Sequence, residues 1–424
     1  MNIEIKGGRI VDPRHAIDRE GSLFIADGKV AALDEAPRGW RPDRVLQAKG
    51  LVVCPGIVDA CARLREPGLE HKATLESEMA AALAGGVTSL ACPPDTDPPL
   101  DEPGLVEMLK HRARSLHGAH VHPIGALTVG LKGETITEMG ELTEAGCVAF
   151  SQADAPLHDT QVLLRALQYA ATFGYAVWLR PQDAALSRGG VAHDGEVATR
   201  LGLPPIPSFA ETIALDTIFE LVRATGVRVH LARLSTHEGV ARVRQAKREG
   251  LPISCDVAIH HLHFCDVDIG WYNAHCHLVP PLRGTRDRGA LRAGLADGTI
   301  DFACSDHAPV DDDAKQLPFA EAEAGATGLE LLLPLTLKWA QEERLPLPDA
   351  LARITVAPAR VLGLEAGHLA PGADADVCVF DPREHWRVEP GELRSQGKNT
   401  PFLGFELEGR VRWTLVAGQV AHER

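Results

Sequence analysis

Six residues at predicted strand ends decide what chemistry this chain can do: Cys61, Arg63, Gln152, Arg180, Arg233 and Asp306. Only two of them are good metal donors. A thiolate at Cys61 and a carboxylate at Asp306 suit Zn²⁺, but together they make an incomplete site. Arginine keeps its proton and offers no lone pair. Arg63, Arg180 and Arg233 therefore repel a dication, by on the order of several kcal/mol at short range in a low dielectric. The same charges admit two other uses. They can pair with an internal carboxylate such as Asp306, or they can receive a phosphate or carboxylate ligand. Arg65 faces the same choice, with Asp95 as a candidate partner. Five histidines, His260, His261, His263, His275 and His277, crowd one stretch and offer a second place for a metal. Cys61 as a nucleophile would need an activating base.

These residues need a scaffold that brings distant strand ends together. From about residue 54 to about 365, apolar strands alternate with longer amphipathic segments. Strands are predicted at 87–92, 121–124, 148–151, 176–179, 228–231, 253–257 and 300–303. Helices are predicted at 104–116, 159–173, 209–225 and 238–249. Strand-then-helix order implies a parallel sheet, and this length suits a closed (β/α)8 barrel of the TIM type, whose function sits at the C-terminal strand ends. The two chain ends read differently. Residues 2–6 and 9–11 form short strands about a Gly7-Gly8 turn, and Asp27-Gly28 marks a hairpin. Strands return at 377–380 and 411–416. The expected organisation is a barrel over 54–365, with a small β-sandwich domain built from 1–53 and 366–424.

The composition is globular, with 45% hydrophobic and 24% charged residues in 424. A formal net charge of −15 argues against nucleic acid or an anionic membrane as partner. The nine cysteines are irregularly spaced and include no C-x-x-C pair, which disfavours a disulfide framework. No signal peptide or long apolar span is evident, so the expectation is a cytoplasmic protein.

Several segments then fall into a recognisable order. Pro55-Gly56-Ile57-Val58-Asp59-Ala60-Cys61-Ala62-Arg63-Leu64-Arg65-Glu66-Pro67-Gly68 resembles the opening strand of the dihydroorotases and related cyclic amidohydrolases, which read P-G-x-x-D-x-H-x-H-L-R-x-P-G. Pro98-Pro99-Leu100-Asp101, Pro280-Pro281-Leu282-Arg283, Ser305-Asp306-His307-Ala308-Pro309 and Asn399-Thr400-Pro401-Phe402-Leu403-Gly404 match later family segments. The resemblance spans essentially the whole chain. It implies a barrel in which histidines and carboxylates hold one or two Zn²⁺ ions that activate water and polarise a ring amide. It also implies that Asp306 occupies the proton-shuttle position.

The departures from the family pattern carry as much meaning. The paired histidine ligands of strand one align with Cys61 and Arg63, the bridging carboxylate with Gln152, and the next two histidines with Arg180 and Arg233. Only Asp306 remains. Of the substrate-binding positions, Arg65 is kept, while Asp95, Val279 and Val310 stand where the family has Asn, Asn and His. The chain most resembles the inactive dihydroorotase-like proteins that partner aspartate carbamoyltransferase in pyrimidine biosynthesis. That resemblance implies a pseudoenzyme without a cofactor, in a homo- or hetero-oligomer. Two alternatives stand beside it: an active zinc-dependent cyclic amidohydrolase with a rebuilt site, and an anion sensor using an arginine-lined pocket.

Overall fold

The computed structural model describes residues 1–424. Eight parallel strands follow one another around a barrel: Ile57–Asp59, Val87–Cys92, His120–Ala126, Ala149–Ser151, Val177–Leu179, Val229–Leu231, Ile253–Ala258 and Phe302–Cys304. They are called strands one to eight below. Their spatial order is their chain order, as in a (β/α)8 barrel. The seam between strands eight and one is tied just beyond the strands themselves. Ala62 bridges His307 in parallel, Arg63 N donates to His307 O at 2.9 Å, and His307 N donates to Cys61 O at 3.1 Å. The residues that close the barrel thus adjoin those predicted to do its chemistry.

The strands are mostly buried, because side chains on both faces are covered, inward by the barrel and outward by helices. Helix Phe209–Thr225 agrees with the predicted bounds, and Pro103–Ser115, Thr160–Phe173 and His237–Arg248 lie within a residue or two of theirs. Helices Leu75–Ala84, Thr285–Asp297 and Leu332–Glu343 lack a prediction. In the last, Leu332, Leu333, Leu335, Trp339 and Ala340 are all buried, and the polar Lys338, Gln341 and Glu342 occupy only its second half, so the amphipathic period is short.

Both chain ends contribute to one eight-stranded sheet. Across it run Lys29–Leu33, Ile17–Ala26, Ile3–Asp12, Val52–Pro55, Val377–Arg387, Glu406–Val416 and Gln419–Glu423, with Arg44–Gln47 also paired to Ile3–Asp12. Ile3, Ile5, Leu23, Ile25, Val53, Val377, Val379 and Leu415 form its separate core. The predicted turn at Gly7-Gly8 is instead a bulge within one continuous strand. Gly7 takes φ +70°, and a Cβ on Gly8 would lie 2.6 Å from Val53, so the glycines serve the bulge and the packing rather than a reversal. No helix is long and apolar enough to cross a membrane.

Candidate functional site

The C-terminal ends of strands one, two, four, five, six and eight bring Arg63, Asp95, Asp154, Arg180, Arg233 and Asp306 together. Arg63 is the hub on one side. Its Nε donates to Asp95 at 2.7 Å, one terminal nitrogen to Asp154 at 2.6 Å and the other to Asp306 at 3.1 Å. Arg233 faces it. It reaches Asp154 at 2.5 Å, Asp306 at 3.0 Å and the carbonyl of Val279 at 3.1 Å. Arg180 closes the ring, with Nε 2.6 Å from an Asp154 oxygen, one terminal nitrogen on the Asp154 carbonyl at 3.2 Å, and the other on Gln182. Three guanidinium groups therefore meet three carboxylates, and the formal charges cancel.

Burial raises the stakes of this balance. The arginine side chains are only 7%, 11% and 4% exposed at Arg63, Arg180 and Arg233. Burial opposes charge on Asp154, but the surrounding guanidinium groups outweigh it and hold that carboxyl well below the usual range. Burial likewise opposes charge on Arg63 and Arg233, and the carboxylates more than offset it, so both are driven well above the ordinary arginine value. Arg180 differs. Burial wins over its single shared carboxylate, and its affinity for the proton is lowered.

The backbone is strained where these side chains turn inward. Arg65, Ala153, Arg233 and Asp306 have φ of +62°, +49°, +57° and +45°. Left-handed conformations at non-glycine residues cost on the order of 1–3 kcal/mol each and persist only where the surroundings enforce them. Four of them around one barrel mouth mark a built site.

Asp154 is the component that reading the sequence misses. It lies two residues beyond the family's bridging position and carries more of the charge balance than any other carboxylate. The available signal was electrostatic, since three converging arginines demand more anion than Asp306 and Asp95 supply. Gln152 itself turns away from the centre. Its amide oxygen accepts from Thr128 at 2.9 Å, and its nitrogen donates to the Leu131 carbonyl at 2.7 Å. The Arg65–Asp95 pair considered above does not form. Arg65 donates to the Pro309 carbonyl at 2.8 Å, because Arg63 already holds Asp95. Val279 contributes only its carbonyl, and Val310 is buried with its N–H on Asn399. Cys61 lies at the base of the ring, its sulfur 3.7 Å from Asp306.

The crowded histidines do not converge on one point. His261 addresses the Pro280 carbonyl, His263 the Leu335 carbonyl and His277 the Ala322 carbonyl, while His260 is wholly buried with neither ring nitrogen paired. Metal-compatible spacing occurs elsewhere, at His237, Glu238 and Asp287. The residues at the family's metal position do not fit a dication, since their inward groups are three cations with their own counterions. The space left inside the ring is ≈ 20 Å³, lined by Cys61, Arg63, Trp178, Arg180 and Arg233 among others. That volume holds about one water, where ligand pockets span about 300–1,000 Å³.

Comparison with known proteins agrees with this architecture. Residues 50–239 match the dihydro-orotase-like family model, and residues 200–422 match the model of an amidohydrolase family. A dihydroorotase-like protein of Pseudomonas aeruginosa is 44% identical, with all of both chains covered. A dihydroorotase of Citrifermentans bemidjiense is 41% identical, again over the whole of both. The L-hydantoinase (dihydropyrimidinase) of Arthrobacter aurescens superposes with a TM-score of 0.89 at 24% identity, covering 99% of this chain and 96% of that one, and so shares the fold. On these grounds the chain belongs to the dihydroorotase-like family of amidohydrolases.

Proposed function

We infer that this protein is a non-catalytic member of its family, a pseudoenzyme of pyrimidine biosynthesis that supports the assembly of aspartate carbamoyltransferase. The observation that carries the first half is the guanidinium–carboxylate ring at the metal position. Family chemistry needs a metal to lower the pKa of water and polarise the ring amide. Here Arg63 and Arg233 engage Asp306, the one retained proton-shuttle residue, so its carboxylate is committed to an ion pair. The same pairing leaves no bare positive pocket at the barrel centre for an anion sensor to use. The second half, the transferase partnership, rests on the resemblance to inactive dihydroorotase-like proteins.

Two experiments test the reading. Purified protein is expected to show neither carbamoyl-aspartate cyclisation nor dihydroorotate hydrolysis, with or without added Zn²⁺, beside an active dihydroorotase control. Turnover abolished by a chelator would establish the alternative, a cyclic amidohydrolase with a rebuilt zinc site. Mixed with aspartate carbamoyltransferase from the same cell, the protein is expected to co-elute on gel filtration and raise the transferase's thermal stability. Two separate peaks and unchanged melting would remove the partnership.

A further inference from the structure

A second cavity opens beside the closed barrel centre, and it is larger. A cleft of ≈ 470 Å³ runs between helices Thr160–Phe173 and Phe209–Thr225, under the loops that follow strands four and five. Its volume lies in the range of small-molecule sites. Leu163, Leu179, Ala214 and Ile218 give it an apolar wall. Its lining cations are Arg180 and Arg188.

The charges in the cleft are unequal. Asp154 lines the cleft, but its carboxylate oxygens are held by Arg63, Arg180 and Arg233. Asp183 also lines it, and one of its carboxylate oxygens accepts the N–H groups of Ala185 and Leu186 at 3.0 and 2.8 Å. Arg188 is exposed and pairs with no carboxylate. Arg180 has the least compensation of the three ring arginines. It touches one carboxylate, which it shares with two other cations, whereas Arg63 touches three and Arg233 two. The cleft thus combines an apolar lining with one cation, Arg188, that no carboxylate holds.

We propose that this cleft is a binding site for a small carboxylic acid with an apolar body, its carboxylate received by Arg188 and its body laid against Leu163, Ala214 and Ile218. A planar guanidinium matches a carboxylate in charge and geometry. The apolar wall supplies affinity by burial. The site lies outside the barrel centre and does not depend on whether the protein turns over substrate or meets a transferase.

Phenylacetate is the probe, with phenylacetamide as its uncharged counterpart, followed by calorimetric titration and thermal shift on the full-length protein. Phenylacetate is expected to bind and raise the melting temperature, and phenylacetamide to bind at least about tenfold more weakly, the loss of one charge-assisted contact. Arg188→Ala, a surface change, is expected to erase that preference. Ala214→Phe is expected to fill the cleft and abolish both responses. No heat and no shift with millimolar phenylacetate would overturn the proposal. So would equal binding of acid and amide, or an Ala214→Phe variant that melts like the parent and still binds.

Discussion

Asp154→Asn is expected to destabilise the protein by about 3 kcal/mol, read as a lower urea midpoint at unchanged slope. The substitution keeps the shape and removes one charge. Breaking a buried pair by removing one partner costs about 3–5 kcal/mol, because the other charge stays buried without compensation. Here that cost falls on three guanidinium groups at once, and Arg180 loses its only carboxylate. The low end of the range applies because the Asp154 side chain is itself 32% exposed, which admits some screening by solvent. Arg180→Met is expected to cost less, since Asp154 would keep Arg63 and Arg233. A wild-type midpoint for Asp154→Asn would mean that the ring is not a tightly balanced network.

Stability is expected to fall steeply on acidification from about pH 6.5 to about pH 4. Burial depresses His122, His260 and His261 to about 4 and His263 to about 3. A buried neutral histidine contributes stability that is whole above its unfolded value, near 6.5, and is lost as pH falls through its folded value. Burial pushes two carboxyls the other way, Asp59 to about 6 and Glu330 to about 7. Their contribution is present at low pH and lost as pH rises, so it opposes the histidines across the same window. Near pH 5, unfolding would let four histidines take up protons while two carboxyls release them, a net uptake of about two. The positive sign makes the midpoint fall with pH. Asp154 adds little to this window, because its loss begins only as the pH reaches the ordinary carboxylate range. Urea midpoints at half-unit steps would show it, and a midpoint flat or rising toward pH 4.5 would contradict the assignment of neutral, buried histidines.

The barrel was legible because its signal is periodic and local. Strands such as 87–92 are short apolar runs bounded by turn residues, and helix 209–225 carries a clear stripe. The tight bulge at Gly7-Gly8 was not, because two glycines look alike in a turn and in a close-packed strand. At the site, the sequence disclosed the loss of ligands, since Arg63, Arg180 and Arg233 cannot bind a metal in any geometry. It did not disclose where their charge goes. Asp154 meets arginines from three strands just after Ala153 takes a left-handed conformation at the end of strand four. That conformation is set by tertiary contacts and leaves no mark on residue type. Gln152 shows the same limit. Its identity ruled out a bridging carboxylate, but its rotation toward Thr128 and Leu131 depends on the loop after strand three.

Zinc retention shows whether arginine–aspartate pairing closes the metal position. The protein would be saturated with Zn²⁺, passed over a mild chelating resin and its metal measured. His237→Ala serves as the working background, so that the group with Glu238 and Asp287 cannot supply the signal. The closed ring predicts zinc far below one ion per chain and no change in melting temperature on adding zinc. One or more zinc ions retained per chain in that variant, and lost on Asp306→Ala, would show that the arginines yield to a metal and that the site is still a metal centre.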